Sequence, residues 1–339
     1  MIQMTLSAPK TIIKGDAPVP TPKAGEVVIK IESSGICGSD IHAYYDKHPF
    51  MSLPIITGHE FSGSISETGE DVSEFKTGDR VTVMPQVYCE DCLNCKSGRY
   101  NICSTLKVIG CQTPGASQEF LAVDSKLVIK IPDEMSFDVG AMLEPIAVGI
   151  HACKRATGGI KDKKVIIQGA GTIGNFTAQA AKAMGAESVI ITDMINTRLE
   201  IAKKCGIDHT VNIATQYLEA EIIETFGENG ADVIIECVGL QSAIDQAINI
   251  GRKGSDIVVA GVFGDHTTVN MGLVQDKELN IIGTLMYTKQ DWLDAIRFVS
   301  EKTILPEPLI SAHFTLPELG TAFEYIENNK ETTIKVLIK

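Results

Sequence analysis

The strongest constraint on the fold is a short glycine-rich turn between an apolar strand and an alanine-rich helix. Residues 163–193 read KKVIIQGAGTIGNFTAQAAKAMGAESVIITD, which is a strand, a turn, a helix and a second strand in that order. A helical crossover of this length joins parallel strands, because antiparallel neighbours need only a short turn. The segment therefore predicts a strand–helix–strand unit and, with it, a parallel sheet.

The same alternation continues to about residue 285. Apolar strands are indicated at ADVIIECVG, DIVVAGVFG and LNIIGTL, and helices at TRLEIAKKCGI and QSAIDQAINIGRKG. The strands are continuous apolar runs, as expected where helices cover both faces of a parallel sheet. Residues 148–285 are therefore predicted to form a doubly wound α/β domain.

Residues 1–147 have a different pattern of residue types. Segments rich in β-branched residues, such as VVIKIESSG and DRVTVMP, alternate with Gly, Pro and Asp, and long amphipathic helices are hard to find. This pattern predicts a β-rich domain, either barrel-like or a sandwich. The tail, residues 286–339, contains two helical segments and ends on the strand IKVLIK.

The glycines of the turn have the spacing of a dinucleotide-binding loop, Gly169-x-Gly171-x-x-Gly174. The first glycine permits the tight turn, the second lets the backbone approach a pyrophosphate, and the third lets helix and strand pack closely. The N-terminus of the following helix, at Thr172 and Ile173, attracts the anion. The alternative is a strand–helix turn that needs glycine only for packing.

An acid stands where such a site needs one. Asp193 ends the next strand, nineteen residues after Gly174, and would accept hydrogen bonds from the adenosine ribose hydroxyls. Its negative charge would repel a 2′-phosphate, which favours NAD over NADP. Arg198 opposes this interpretation, because a nearby arginine can accommodate that phosphate.

Four of the nine cysteines lie within fifteen residues, with the spacing Cys89-x2-Cys92-x2-Cys95-x7-Cys103. Four thiolates with no open position make a structural zinc site. The rival is an iron–sulfur cluster, whose bacterial ferredoxin run has a last gap of three residues followed by proline. Here the last gap is seven residues and Ser104 follows, so we predict structural zinc.

A second set of possible metal ligands is scattered along the chain: Cys37, His59, Glu60 and Glu144. Each of these residues alone is more often structural. Together they offer sulfur, nitrogen and oxygen donors that suit a zinc ion with one position left open. Spacing alone does not connect Glu144 to the others.

With CGSD at 37–40, GHE at 58–60, the four-cysteine loop and GAGTIG in this order, the chain resembles the zinc-dependent medium-chain dehydrogenases. The resemblance covers essentially the whole chain. It implies a GroES-like β-rich catalytic domain, formed by residues 1–147 and 286–339, and a Rossmann NAD-binding domain at 148–285. It also implies one catalytic and one structural zinc ion, with NAD as the cofactor.

The resemblance assigns Cys37, His59 and Glu60 as ligands of the catalytic zinc. Alcohol dehydrogenases of the family supply a second cysteine where this chain has Glu144, within EPIAVGIHACKRA, which resembles sorbitol dehydrogenases. Glu144 is then either a fourth ligand or the group that holds the zinc-bound water. The segment CGSDIHAYYDKHPFMSLPIITGHE is similar to bacterial hexonate dehydrogenases of the galactonate 5-dehydrogenase type.

Other positions match functional positions of the family. Ser39 would take the proton of the substrate hydroxyl, and His42 would pass it toward solvent; read without the family, they are a turn residue and a surface histidine. The resemblance places Val238 in the cofactor site. Lys335 would contact the pyrophosphate, unless it is a solvated lysine at a strand edge.

The implied activity is hydride transfer from a secondary hydroxyl of a polyol or sugar acid to NAD. Sorbitol dehydrogenases carry an Arg-Tyr pair where this chain has Met286-Tyr287, which argues against sorbitol itself, although Tyr287 could still line the pocket. The alternatives are an alcohol, butanediol or threonine dehydrogenase on the same scaffold, or a non-catalytic NAD-binding protein.

Composition and net charge limit the classes of partner and the compartment that we expect for this chain. A formal net charge of −13 argues against a nucleic-acid partner held by phosphate contacts. No membrane span or secretory leader is indicated, and nine cysteines suit a reducing compartment, so we expect a cytoplasmic protein. The family forms homodimers or homotetramers that commonly pair Rossmann edge strands, and VNMGLVQDKELNIIGTL could supply such an edge.

Overall fold

The computed structural model describes residues Met1–Lys339 and divides them into two compact units. The first unit contains Met1–Glu144 and Ile310–Lys339, and the second contains Pro145–Leu309. None of the helices combines the length and the apolar character that crossing a lipid bilayer requires.

The N-terminal part of the chain consists mainly of short strands. These are β1 (Ile2–Ala8), β2 (Thr11–Asp16), β3 (Glu26–Gly35), β4 (Glu60–Thr68), β5 (Arg80–Val83), β6 (Gln86–Val87), β7 (Lys107–Val108), β8 (Phe120–Asp124) and β9 (Val128–Lys130). The helices of this part are α1 (Gly38–Tyr44), α2 (Leu93–Lys96) and α3 (Phe137–Arg155), the last of which continues into the second unit.

The second unit alternates strands and helices, as the sequence predicts. Its strands are β10 (Lys164–Gln168), β11 (Ser188–Asp193), β12 (His209–Asn212), β13 (Val233–Glu236), β14 (Asp256–Val259) and β15 (Asn280–Gly283). Its helices are α4 (Thr172–Ala183), α5 (Asn196–Lys204), α6 (Leu218–Phe226), α7 (Gln241–Ile250), α8 (Met271–Asp276) and α9 (Lys289–Ser300).

All six strands of the second unit run parallel, in the order β12-β11-β10-β13-β14-β15. The strand order reverses direction between β10 and β13, which is where doubly wound sheets bind their ligands. Val165, Ile166 and Ile167 of β10 are fully buried, because helices cover both faces of the sheet. The predicted doubly wound parallel sheet is confirmed.

The chain then returns to the first unit through β16 (Ile310–Phe314), α10 (Leu319–Asn328) and β17 (Lys335–Ile338). The sheet of the first unit has the order β16-β17-β3-β4-β5-β9, and β8 also pairs with β3. The last strand of the chain therefore lies beside β3, and β3 lies beside β4. This order brings residues far apart in sequence to one end of the sheet.

The structure differs from the sequence expectation at the second boundary, which lies at residue 310 rather than at 286. Helix α9 is the reason. Asp291 in its first turn lies 2.9 Å from His151 Nδ1 and 2.7 Å from Lys154 Nζ, both on α3. Its carboxylate also accepts the backbone N–H of Thr288 at 2.7 Å, so one buried acid caps α9 and holds it within the second unit.

Asp291→Asn tests this anchor. Burial raises the pKa of Asp291, but His151 and Lys154 outweigh burial and lower it from 3.8 to about 2. The charged form therefore contributes about 2 kcal/mol of stability, fully present above pH 4 and lost as the pH falls toward 2. We expect the variant to lose about that much free energy of unfolding at pH 7, measured with urea, and less at pH 3.

Asp294→Asn is the matched control, because Asp294 also pairs with Lys154 but on a more exposed side chain. We expect a loss of less than about 1 kcal/mol for this change. A deficit of Asp291→Asn that stays the same size at pH 3 and pH 7 would contradict the assignment of the effect to the charge.

Candidate functional site

Three donor residues meet at one end of the first unit's sheet. One ligand atom from each of Cys37, His59 and Glu60 lies within 4.8 Å of the others. Strand pairing explains the meeting, because the last residue of β3, Gly35, lies opposite Glu60, the first residue of β4. Cys37 follows two residues later as the N-cap of α1. The structure thus joins three of the four donors that lie scattered in the sequence.

Two glycines make room for this cluster. A side chain at Gly35 would overlap the carboxylate of Glu60. Gly58 has a φ of +97°, and a Cβ there would lie 3.2 Å from the backbone nitrogen of Ala116. The glycine of the GHE triplet therefore serves both the turn that presents His59 and the close packing of the neighbouring loop.

Asp40 is a site residue to which the sequence analysis gave no role. Its carboxylate is almost fully buried, and one oxygen accepts the backbone N–H of Cys37 at 2.8 Å. The other oxygen lies 3.7 Å from His59 Nδ1, and neither of these two atoms has a hydrogen-bond partner. Metal-binding histidines usually turn their second ring nitrogen toward a carboxylate, so Asp40 is placed to orient His59.

The donors also fit a cation electrostatically. Burial lowers the pKa of His59, but the charges of Asp40 and Cys37 outweigh burial and raise it well above 6.5. Without a metal, this pocket therefore attracts a proton to the imidazole. A divalent cation would satisfy the same negative surroundings, and sulfur, nitrogen and oxygen donors together suit zinc.

Glu60 has a second partner, Lys335 on β17. Lys335 Nζ lies 2.8 Å and 2.6 Å from the two carboxylate oxygens, and 3.1 Å from the carbonyl oxygen of Ile36. Both side chains are at most 2% exposed. Lys335 is therefore not a solvated edge lysine, because its three donors are used inside the first unit. This placement corrects that alternative, and a contact of Lys335 with the pyrophosphate stays a prediction.

Glu144 lies on α3 and is buried, but it is not part of the three-residue donor group. Burial lowers the pKa of Lys335, and Glu60, Cys37 and Glu144 together raise it above 10.5. Glu144 therefore acts on the same lysine as Glu60. Whether it is a direct ligand or a partner of a bound water stays a prediction.

The two residues of the predicted proton relay lie on α1. Ser39 Oγ is 3.5 Å from His59 Nε2, beside the donor cluster. His42 is exposed in the last turn of α1. Residues three apart share one face of a helix, so Ser39 and His42 lie on a line from the cluster to the protein surface.

The four clustered cysteines converge on one point between β6 and β7. Their sulfur atoms all lie within 4.8 Å of one another, and Cys89 and Cys103 are 3.5 Å apart. Backbone N–H groups point at the sulfurs, as from Cys92 to Cys89 and from Thr105 to Cys103, both at 3.4 Å. Thiolates are the form that binds metal, and this geometry stabilises them.

The pKa values of two of these thiols show why the group needs a cation. Hydrogen bonds from Ser104 lower the pKa of Cys92 to about 5. Burial and the neighbouring thiols raise the pKa of Cys95 to about 12. Four thiols in one place cannot all ionise without a cation, whereas a zinc ion would stabilise four thiolates together.

The glycine turn of the second unit has the conformation that its spacing predicts. Gly169 has a φ of +88°, and a side chain at Gly174 would overlap the carbonyl oxygen of Gly169. Gly171 is the N-cap of α4, and no atom lies within 4 Å of the position a Cβ would take there. The helix therefore begins at Thr172 and Ile173 beside open space that a phosphate can approach.

Asp193 lies at the carboxyl end of β11 with its carboxylate already oriented. It accepts backbone N–H groups from Ala170 at 2.8 Å and Ile195 at 2.9 Å. Arg198 lies 3.8 Å from the same carboxylate, so the arginine is drawn to the acid rather than to a separate phosphate site. The roles of Asp193 toward a ribose and of Arg198 toward a 2′-phosphate stay predictions.

Val238 and Tyr287 differ in their surroundings. Val238 follows β13 and is 42% exposed at the carboxyl end of the sheet, and its place in the cofactor site stays a prediction. Tyr287 is fully buried and packs its ring against Trp292 at 5.6 Å. The suggestion that Tyr287 could line a substrate pocket is therefore corrected.

Known proteins resemble this chain over its full length. The family description "Alcohol dehydrogenase GroES-like domain" matches residues 23–133, and "Zinc-binding dehydrogenase" matches residues 172–301. Sorbitol dehydrogenase of Homo sapiens is 34% identical over 347 residues, which cover 100% of this chain and 95% of that protein. L-idonate 5-dehydrogenase of Vitis vinifera is 35% identical over 309 residues, with coverage of 88% and 84%.

A solved structure shares the fold. It is described as a short chain alcohol dehydrogenase (rspB) from E. coli complexed with NADH, and it has a TM-score of 0.92 at 30% identity. The alignment covers 100% of this chain and 99% of that one. The first matched family region contains both metal-binding clusters, and the second contains Asp193.

Cys92→Ser tests the four-cysteine site. We expect the purified variant to hold about one zinc ion per chain where the unchanged protein holds about two, because a three-thiolate site binds zinc less tightly. Elemental analysis would measure this. Thermal stability should fall as well, since structural zinc contributes directly to folding.

Cys205→Ser is the matched control for that experiment. Cys205 is buried in the second unit, where burial raises its pKa to about 12. We expect two zinc ions to remain in this variant. Iron and visible absorbance in the unchanged protein, in place of zinc, would overturn the structural-zinc assignment.

Lys335→Met tests the buried ion pair. Removing one partner of a buried pair leaves an uncompensated charge and costs about 3–5 kcal/mol of stability. The double variant with Glu60→Gln should regain part of this loss, because it no longer buries an unpaired carboxylate. Urea unfolding of the zinc-loaded proteins gives both values.

Lys130→Met provides the comparison with a surface pair. Lys130 lies 2.8 Å from Asp79 with its side chain 53% exposed, so we expect a loss below about 1 kcal/mol. Equal losses of unfolding free energy for Lys335→Met and Lys130→Met would show that the buried ion pair contributes no more stability than the surface pair.

Proposed function

The chain belongs to the zinc-binding dehydrogenases with an alcohol dehydrogenase GroES-like domain, and from that premise we propose that it oxidises a secondary hydroxyl of a polyol or sugar acid with NAD. The observation that carries the proposal is the group of half-buried Cys37 with buried His59 and Glu60, with Glu144 acting on the same lysine as Glu60. A carboxylate-rich donor set suits a substrate with adjacent hydroxyls. The relatives that support the substrate class are the sorbitol and L-idonate dehydrogenases.

When bound, zinc would supply Lewis-acid chemistry at the substrate oxygen and NAD would supply the hydride acceptor. The protein's own residues then have defined tasks. Cys37, His59 and Glu60 hold the metal, and Asp40 orients His59. Ser39 accepts the proton of the substrate hydroxyl and passes it to His42, whose exposed imidazole exchanges protons with solvent.

We assign the cofactor to the second unit. The glycine turn at 169–174 receives the pyrophosphate, and Asp193 accepts hydrogen bonds from the adenosine ribose. Its negative charge at that position disfavours a 2′-phosphate, so NAD is the preferred cofactor. The first unit then corresponds to the catalytic domain and the second to the NAD-binding domain.

We propose that the protein forms homodimers or homotetramers through β15. This strand is the edge of the six-stranded sheet, so one of its sides has no neighbouring strand in the chain. Ile281 and Leu285 at this edge are 40% and 51% exposed, which suits a contact with a second copy. Sedimentation equilibrium of the purified chain would distinguish a monomer, a dimer and a tetramer.

We also propose that the protein works in a reducing compartment such as the cytoplasm. The support is the set of nine cysteines, none of which forms a disulfide. The four-cysteine site needs reduced thiols to bind zinc.

A substrate panel tests the proposed function. NADH formation should be measured at 340 nm with NAD or NADP and with polyols, sugar acids, butanediol, threonine and simple alcohols. We expect the highest kcat/KM with NAD and a polyol or sugar acid. A clear preference for butanediol, threonine or a simple alcohol would support the corresponding alternative dehydrogenase instead.

His59→Ala is the key variant in this panel, and we expect its kcat/KM to fall by about a hundredfold or more. His209→Ala is the control, because His209 is an exposed histidine at the start of β12. It should retain full activity. Full activity of His59→Ala, or of the protein after zinc removal, would refute the metal mechanism.

A further inference from the structure

The mechanism gives no role to the buried acid Glu236. Glu236 is the last residue of β13, a central strand of the second unit's sheet, and its side chain is fully buried. In register it lies between Gln168 of β10 and Val259 of β14. It therefore lies beside the point where the strand order reverses, where a doubly wound sheet binds its ligand.

Glu236 holds two loops at once. Its side-chain oxygen Oε1 accepts the backbone N–H groups of Val238 at 2.6 Å and Gly239 at 2.7 Å. Its main-chain carbonyl accepts the N–H groups of Ala260 at 2.8 Å and Gly261 at 2.9 Å. One residue thus fixes the loop 237–239 that follows β13 and the loop 260–264 that follows β14.

The two loops pack backbone against backbone around this carboxylate. A Cβ at Gly239 would lie 2.5 Å from the carbonyl oxygen of Val262. A Cβ at Gly261 would collide with the nitrogen of Gly239 and would lie 2.5 Å from Glu236 Oε2. Neither glycine can take a side chain unless the loops separate, so their arrangement is tightly specified.

Burying a carboxylate at this position costs free energy of folding, which indicates a role beyond filling space. Burial raises the pKa of Glu236, and only the backbone N–H groups of Gly239, Val238 and Gly261 oppose that rise. The second oxygen, Oε2, is buried without a hydrogen-bond partner. A neutral side chain would avoid this cost but would bind the N–H groups of loop 237–239 less strongly.

The loops fixed by Glu236 lie on the side of the sheet opposite to the ribose acid. Asp193 on β11 marks one side of the glycine turn, and β13 and β14 lie on the other side. A dinucleotide that places its adenosine at Asp193 extends its second half toward β13 and β14. Val238 and Val262, 42% and 60% exposed, present apolar surface there.

We propose that Glu236 is a positioning residue for the cofactor, which holds loops 237–239 and 260–264 in the single arrangement that receives the nicotinamide half of NAD. The inference rests on the proposed NAD site in the second unit. It adds a buried carboxylate to that site as the group that sets the shape of the loops. Glu236 itself does not touch the reacting atoms.

The test compares NADH binding in full-length, zinc-loaded variants, followed by the fluorescence of NADH on titration. We expect Glu236→Ala to raise the Kd for NADH about tenfold or more, which corresponds to about 1.4 kcal/mol. Glu236→Gln keeps a carbonyl oxygen for Val238 and Gly239, so its Kd should stay within about threefold of the unchanged protein. Binding is measured without substrate, so the result does not depend on the substrate class.

Asp256→Ala is the matched control. Asp256 is also a buried acid of this sheet, but it starts β14 at the opposite end, where it accepts the N–H of Thr157 at 2.5 Å and of the Asn280 amide at 2.9 Å. We expect both alanine variants to lose thermal stability, and only Glu236→Ala to lose NADH affinity.

Amide hydrogen exchange in the cofactor-free protein provides an independent readout. Exchange should accelerate in Glu236→Ala at residues 238–239 and 261–262, and should remain slow in β10 and β11. If Glu236→Ala does not fold, Gly261→Ala takes its place, because the added methyl group separates the same loops with the carboxylate intact. That variant should also weaken NADH binding about tenfold.

Three results would overturn the inference. The first is an unchanged NADH Kd in a folded Glu236→Ala or Gly261→Ala variant. The second is an equal loss of affinity in Asp256→Ala, which would indicate a general effect of stability. The third is an equal loss in Glu236→Gln and Glu236→Ala. Failure of the unchanged protein to bind NADH would refute instead the proposed NAD site.

Discussion

The metal cluster depends on one buried ion pair between the start of β4 and the last strand of the chain. Lys335 reaches both oxygens of Glu60, and the two residues are 275 positions apart in sequence. A carboxylate in this position without the lysine would be an unpaired buried charge. The site is therefore complete only when β17, the last strand of the chain, has joined the first unit's sheet. The strand order β17-β3-β4 brings Lys335 close to Glu60.

Local patterns predicted the parts of the fold that local physics determines. The glycine turn at 169–174 and the four cysteines at 89–103 need residues that are close in sequence, so their spacing was informative without further context. The doubly wound sheet followed from apolar strands alternating with helices. Each of these features belongs to one continuous stretch of chain.

Long-range contacts explain what the sequence could not show. Asp291 binds His151 from 140 residues away, and no periodicity reveals that helix α9 belongs with the second unit. The sequence offered a pyrophosphate contact or a solvated strand edge for Lys335, because nothing near it in sequence indicated that Glu60 would be its partner. Asp40 had a recognisable position, the third residue of a helix capped by a candidate ligand, but its role required the position of His59.

Buried acids recur at the ends of strands and helices in both units, and each has partners that offset its buried negative charge. Glu60 has a lysine, Asp40 has a histidine and a backbone N–H, and Asp193 and Glu236 have backbone N–H groups. The formal charge of −13 is therefore a poor guide to the field near the donor cluster. Because Lys335 and a bound metal ion would offset Glu60 and Cys37 locally, an anionic sugar acid is compatible with an acidic protein.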